Sequence, residues 1–166
     1  GANEAIRIDA EPTDAQYVAE EIAKIAGGYD LILTGRESID YNGGAVCGLL
    51  GSVLGIPSIN VVTRIDYANG KFSFDRDIDG GRETVSCAGP CVASAQKDLC
   101  EPRIPNMRGI MAARTKPLQV LAPQASANYA DYTAYELPAA KSGVRLIDVS
   151  EAGKLIDILR NEAKVI

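Results

Sequence analysis

The chain has 166 residues, of which 46% are hydrophobic and 23% charged, with a formal net charge of −5. That length bounds it to one domain, or one domain with an appendage, able to bury a real core. The acidic balance argues against a nucleic-acid or anionic-membrane surface as its main face. With no histidine in the chain, Ser-His-Asp and Cys-His catalysis and the commonest metal ligand are removed. No G-x-S-x-G elbow occurs, no apolar run is long enough to insert in a bilayer, and no signal peptide opens the chain. Cys47, Cys87, Cys91 and Cys100 lack C-x-x-C spacing, and three lie among apolar residues. Reduced, buried thiols in a cytoplasmic protein follow, with no metal site and no catalytic residue expected. Composition leans towards a binding or carrier protein.

Ala5–Ile8 alternates like a short strand. Pro12-Thr13-Asp14 predicts a helix start, with Thr13 or Asp14 as N-cap. Tyr17, Val18, Ile22 and Ile25 give that helix one apolar face, and Gly27-Gly28 ends it. Leu31-Ile32-Leu33-Thr34 reads as a buried strand, and a polar loop, Gly35-Arg36-Glu37-Ser38-Ile39-Asp40-Tyr41-Asn42-Gly43-Gly44, follows it. Ala45–Leu54 is an apolar, glycine-bearing helix, and Gly48, Gly51 and Gly55 fall near one face, which suits close packing on a strand. A strand feeding a glycine-rich loop into a helix N-terminus is a place where anions bind, through free N–H groups and the positive dipole end. This loop is the candidate nucleotide-phosphate site. Neither G-x-x-x-x-G-K-[ST] nor G-x-G-x-x-G is present, so on spacing alone a tight βα connection fits equally.

After Pro57, Ile59–Val62 predicts a second buried strand. A meander follows: Thr63–Tyr67, a turn at Ala68-Asn69-Gly70, Lys71–Asp77, a turn at Asp79-Gly80-Gly81, and Glu83–Cys87. Cys91–Ala95 returns as a strand, Arg108–Arg114 is a short basic helix, and Leu118–Leu121 is a last strand. Residues 124–142 lose periodicity and read as an extended arm, before a helix from Ser150 or Glu151 to Ala163. The expected fold is α/β: a mostly parallel twisted sheet with flanking helices, an antiparallel hairpin excursion and an extended C-terminal arm. The expected division is a partial nucleotide-binding domain over 1–123 and an arm with its helix over 124–166.

Four stretches, in order, resemble the beta subunit of electron transfer flavoprotein. They are GRESID at Gly35–Asp40, RDIDGGRE at Arg76–Glu83, EPRIPNMRGIMAARTKPL at Glu101–Leu118, and the GVRLID…LIDILR close. The third is the most specific. The resemblance implies about the C-terminal two thirds of such a subunit, of Rossmann-like adenine-nucleotide-binding type. It implies a heterodimer with an alpha subunit that carries most of the FAD site, and AMP or a second FAD held in this subunit. Electrons would come from acyl-CoA-type or related dehydrogenases, as in fatty acid oxidation. The nucleotide loop matches Gly35 to about Gly43, with backbone N–H groups, Ser38 and Asn42 as donors. Only Tyr41 and Asn42 stand where the family carries a longer polar insertion.

The resemblance further assigns Glu101 to Ala113 to partner recognition. Glu101, Pro102, Arg103, Met107 and Arg108 are the docking candidates: a polarisable methionine suits a hydrophobic socket and arginines steer acidic partners. Asp77 is a candidate contact to the alpha subunit, whereas Asp79 belongs to its turn. Tyr129, Tyr132 and Tyr135 fit an arm wrapped on that subunit. Two other classes share the expected fold. One is a nucleotide-binding stress or sensor protein without flavin, and the other an ATP-cleaving ligase. Only the electron-carrier reading explains Glu101–Leu118. A sheet lacking its first strands exposes an edge, so this chain is expected to self-associate.

Overall fold

The computed structural model describes residues 1–39, 41–124, 128–141 and 143–166. Ala5–Ile8 forms β1, and α1 runs from Ala15 to Ala23. Asp14 is its N-cap, its carboxylate accepting the Tyr17 N–H at 2.7 Å and so satisfying one of the orphan donors of the first turn. β2 (Leu31–Gly35) leads through the polar loop to α2 (Val46–Leu54), which Gly55 ends at φ 67°. β3 runs unbroken over Ser58–Ala68, joining the predicted buried strand to the first strand of the meander. No glycine or proline lies between Ile59 and Ala68, so nothing in the chain interrupts it. Asn69 (φ 53°) and Gly70 (φ 76°) then form the tight turn into β4, Lys71–Ile78. Gly80 (φ 84°) turns β4 into β5, Gly81–Cys87. β6 (Cys91–Ala95), α3 (Met107–Arg114) and β7 (Leu118–Leu121) complete the series.

The main sheet has the order β2-β6-β3-β4-β5. β6 pairs in parallel with β2 and β3, whereas β4 is antiparallel to both β3 and β5. β1 and β7 pair in parallel as a separate two-stranded sheet. The chain is thus α/β, and β4–β5 is the expected antiparallel excursion from the parallel strands. β3 serves both halves, and its register shifts on either side of Val62. Val61 takes φ 60° there, and its N–H donates to the buried Ser94 hydroxyl at 2.9 Å. That bond supplies the partner that the ladder drops at a bulge.

Alternation along β6 divides the core. Val92 joins Ala19, Cys47 and Leu50 under α1 and α2, while Cys91 and Ala93 join Ile59, Val62, Phe72 and Phe74 on the other side. Only Gly51 of the three α2 glycines is needed for close packing: a Cβ there would lie 2.7 Å from Cβ of Ser58. Gly48 faces open space and Gly55 serves as the left-handed cap, so the single glycine face expected of this helix reduces to one contact.

Contacts divide the chain into Gly1–Tyr132 and Thr133–Ile166. The second unit holds a 3₁₀ turn at Val149–Glu151, α4 at Ala152–Asp157 and a π turn at Ile158–Glu162. The sequence predicted one continuous helix. The Ala163 N–H bonds Ile158 O instead of the carbonyl four residues back, which widens the last turn.

Candidate functional site

A cavity of about 800 Å³ opens where β2 ends, between the first turns of α1 and α2. The N-termini of both helices meet there at the carboxyl end of that strand, the side on which open α/β sheets bind ligands. From the polar loop, Gly35, Arg36, Glu37 and Ser38 line it, followed by Tyr41, Gly43 and Gly44. Ile39 points away and is 93% exposed, and Asn42 is not in the wall. Asp40 lies outside the described residues. Asn42 serves the loop's shape instead: at φ 49° it donates its N–H to Ser38 O at 2.9 Å, closing a turn that brings Tyr41 to the rim.

Donors in this cavity are available. No side chain caps α2, whose first turn therefore presents free N–H groups. Ser38 brings a hydroxyl to the wall, whereas Thr34 Oγ1, at the end of β2, is buried beside the Cys47 thiol. Arg36 is held at one side, donating to Gln96 Oε1 at 3.3 Å, with Glu37 Oε1 3.8 Å from its Nε. An anion at the α2 N-terminus finds backbone donors, a hydroxyl and one guanidinium, which is a set that fits a phosphate. Cys47 lies beneath, and burial pushes its thiol above the ordinary cysteine value, so it remains a neutral core group. Cys91 is likewise pushed up to about 12, by burial first and then by its neighbour Cys87.

The opposite rim comes from far along the chain. Asp14 Oδ2 accepts the N–H groups of Tyr129 at 2.5 Å and Ala130 at 3.1 Å, and the Thr13 hydroxyl donates to Ala130 O at 2.5 Å. Tyr129 OH donates to Glu20 Oε1 at 2.8 Å. The N–H of Tyr17 first, and then those of Tyr129 and Ala130, hold the Asp14 carboxyl below its ordinary value. Residues 128–132 are thereby strapped across the start of α1. At the end of the strap Tyr132 enters the cavity wall and stacks on Tyr41, ring centroids 5.9 Å apart and planes 10° from parallel. Sequence reasoning singled out neither Asp14 nor Thr13 for the site. The recurring tyrosines of 129–135 were the one available signal.

Glu101, Pro102 and Arg103 are exposed and have no regular structure. Asn106 then starts α3 by accepting the Gly109 N–H at 2.8 Å. Met107 and Arg108 sit in its first turn, and none of its residues is buried. Ile104, Met107 and Met111 are 93%, 72% and 55% exposed. Asp77 accepts from Arg82 Nε at 3.1 Å across β4 and β5. Among the described residues no group of three His, Cys, Asp or Glu side chains is placed to hold a metal, and no helix is long and apolar enough to cross a membrane.

Residues 1–126, more than half of the chain, match the electron transfer flavoprotein domain. The chain belongs to the electron transfer flavoprotein family. All of it aligns at 31% identity with the electron transfer flavoprotein subunit beta of Bradyrhizobium diazoefficiens, covering 69% of that protein. The beta subunit of Syntrophomonas wolfei is 35% identical over 82% of this chain and 55% of its own length. For that of Bacillus subtilis the values are 33%, 83% and 58%. The chain thus spans little more than half the length of the last two relatives. The loop, both helix N-termini and α3 lie inside the matched electron transfer flavoprotein domain, whereas the strap that carries Tyr132 lies beyond it.

Proposed function

We propose that this chain is the beta-type half of an electron carrier, holding AMP or a second FAD in the cavity at the end of β2 and pairing with an alpha-type subunit that carries the main FAD. The observation that carries the proposal is the cavity itself: an uncapped α2 N-terminus and a glycine-bearing loop face it, in a chain that matches the electron transfer flavoprotein domain over 1–126. The fold reading that goes with it is a Rossmann-like, adenine-nucleotide-binding sheet over 1–123, with 124–166 as an arm and helix, of which 128–132 lies on this chain's own α1 and Thr133–Ile166 is left to meet the alpha subunit. The protein works in the cytoplasm and makes or breaks no substrate bond.

In this reading Gly43, Gly44 and the first turn of α2 receive the phosphate, with Ser38 as the side-chain donor. FAD, when bound, supplies the redox chemistry, and the protein's own part is to bind, orient and shield it. Glu101–Arg108 meets the dehydrogenase, an acyl-CoA-type or related flavoenzyme. The exposed Met107 is the apolar anchor there, and Arg103 and Arg108 attract acidic groups. Asp77, with Arg82, meets the alpha subunit.

The test is to co-express this chain with an alpha-type subunit, release ligands by denaturation and count them. One FAD with one AMP per heterodimer is the expected result, and two FAD without AMP places a second flavin in this chain. No heterodimer, with AMP or ATP bound by this chain alone, replaces the carrier with a nucleotide sensor. The cavity's being walled by this chain's own residues is what favours that second reading.

A further inference from the structure

We infer that Tyr41 and Tyr132 form the ring-binding wall of this cavity, taking the flat heteroaromatic ring of a nucleotide whose phosphate lies at the α2 N-terminus. The inference rests on the nucleotide reading above and adds to it the part that sees the base. Phe72 packs on Phe74, two residues along the same strand in the sheet core, and on Tyr67 of the neighbouring strand, both as neighbours within the sheet. Tyr41 and Tyr132 have no such origin. They come from the polar loop and from the strap, two segments outside helix and strand, and meet only at the cavity rim.

Their geometry suits a guest. The planes are 10° from parallel and the centroids 5.9 Å apart. Near-parallel rings at that centroid distance are offset, each covering only part of the other, so a flat guest lies across the uncovered part of the two faces without prising the pair apart. Tyr41 is followed by Asn42 at φ 49°, Gly43, and Gly44 at φ 58°, in the turn that the Asn42 N–H closes on Ser38 O. Tyr132 ends a strap fixed upstream at Asp14 and Thr13. The rings are 68% and 44% exposed, so a ring laid against them buries apolar surface that the chain itself leaves open. Tyrosine faces stack on any planar base, which makes the expected ligand a heteroaromatic phosphate instead of a bare sugar phosphate. Asp14 is a positioning residue, since it holds the strap from which Tyr132 projects.

Calorimetric titration of the full chain with AMP, FMN and ribose 5-phosphate tests this. Loss of one stacking face weakens the ring-bearing ligand about 5- to 150-fold in Tyr41→Ala and Tyr132→Ala. Affinity for ribose 5-phosphate stays at the wild-type value, and Tyr132→Phe, which keeps the ring, restores the AMP affinity. If FMN shows the loss and AMP does not, the ring held is an isoalloxazine, and the inference stands with that ligand. Equal affinity of wild type and both alanine variants for every ring-bearing ligand overturns it, and leaves the pair as a simple loop-to-strap contact. If wild type binds none of the three, the nucleotide reading itself fails and this inference with it. Far-ultraviolet circular dichroism on each variant separates these outcomes from misfolding.

Discussion

Helices α2 and α3 are alike in length and opposite in use. α2, Val46–Leu54, buries Cys47, Leu50 and Gly51 and lies against the sheet through Gly51 and Ser58. α3, Met107–Arg114, has an apolar side of its own in Met107, Ile110 and Met111, yet none of its residues is buried. An amphipathic pattern therefore does not say where the apolar side is satisfied. α2 spends it within the chain and in doing so aims a bare N-terminus at a cavity. α3 leaves it open, in the segment that the family resemblance assigns to partners.

The contrast breaks most sharply at Leu50. Leu50→Ala leaves a hole in a fully buried position and is expected to cost about 2–5 kcal/mol of stability, whereas Met111→Ala changes it by less than about 0.5 kcal/mol. Denaturant titration of both variants checks the pair, and equal losses would show that α3 is packed after all. A smaller effect belongs to binding. Met107→Ala is expected to weaken the proposed dehydrogenase complex by about 1–2 kcal/mol with the melting temperature unchanged, read by titrating a candidate partner against the variant. Next comes the sheet edge. β2 pairs with β6 on one side only among the described residues, and Leu33 on it is 54% exposed. The isolated chain should show concentration-dependent association in sedimentation, and Leu33→Lys should abolish it. A monomer at every concentration would remove the edge as a contact.

The smallest effect is at Asp14. Its carboxyl is held below the ordinary value of 3.8, so the strap's hold is complete above that value and is lost as pH falls through the lowered one. Tyrosine near-ultraviolet dichroism should change only as pH falls below 3.8 and through the lowered value, and Asp14→Asn should lack that step. A step of the same size in Asp14→Asn would assign it to other carboxylates.

Local chemistry made much of this readable. Asp14 before an apolar helix and Asn69-Gly70 between alternating strands each state their role in a few adjacent residues. What escaped depends on distant neighbours. β3 continues through Val62 because β6 and β4 share it, and nothing within Ile59–Tyr67 announces two partners. Gly48 and Gly51 read alike until Ser58 is placed beside one of them. The cavity's far wall was hidden for the same reason, since the Asp14–Tyr129 bond spans most of the first unit. The break in the last helix had a local trace in Gly153, but the wide π turn after it had none.

The sheet order also sets an order of assembly. β3, β4 and β5 are joined by turns of two residues, so their ladders close with little loss of chain entropy and form early. β2 pairs Leu31 with Cys91 across the whole meander, a much longer loop, so it is expected to join after the meander has formed. The cavity stands on β2, and its second wall arrives later still, with residues 128–132. It is the last part of the first unit to be built, and the amides around it should be the first to exchange with solvent while those of the meander remain protected.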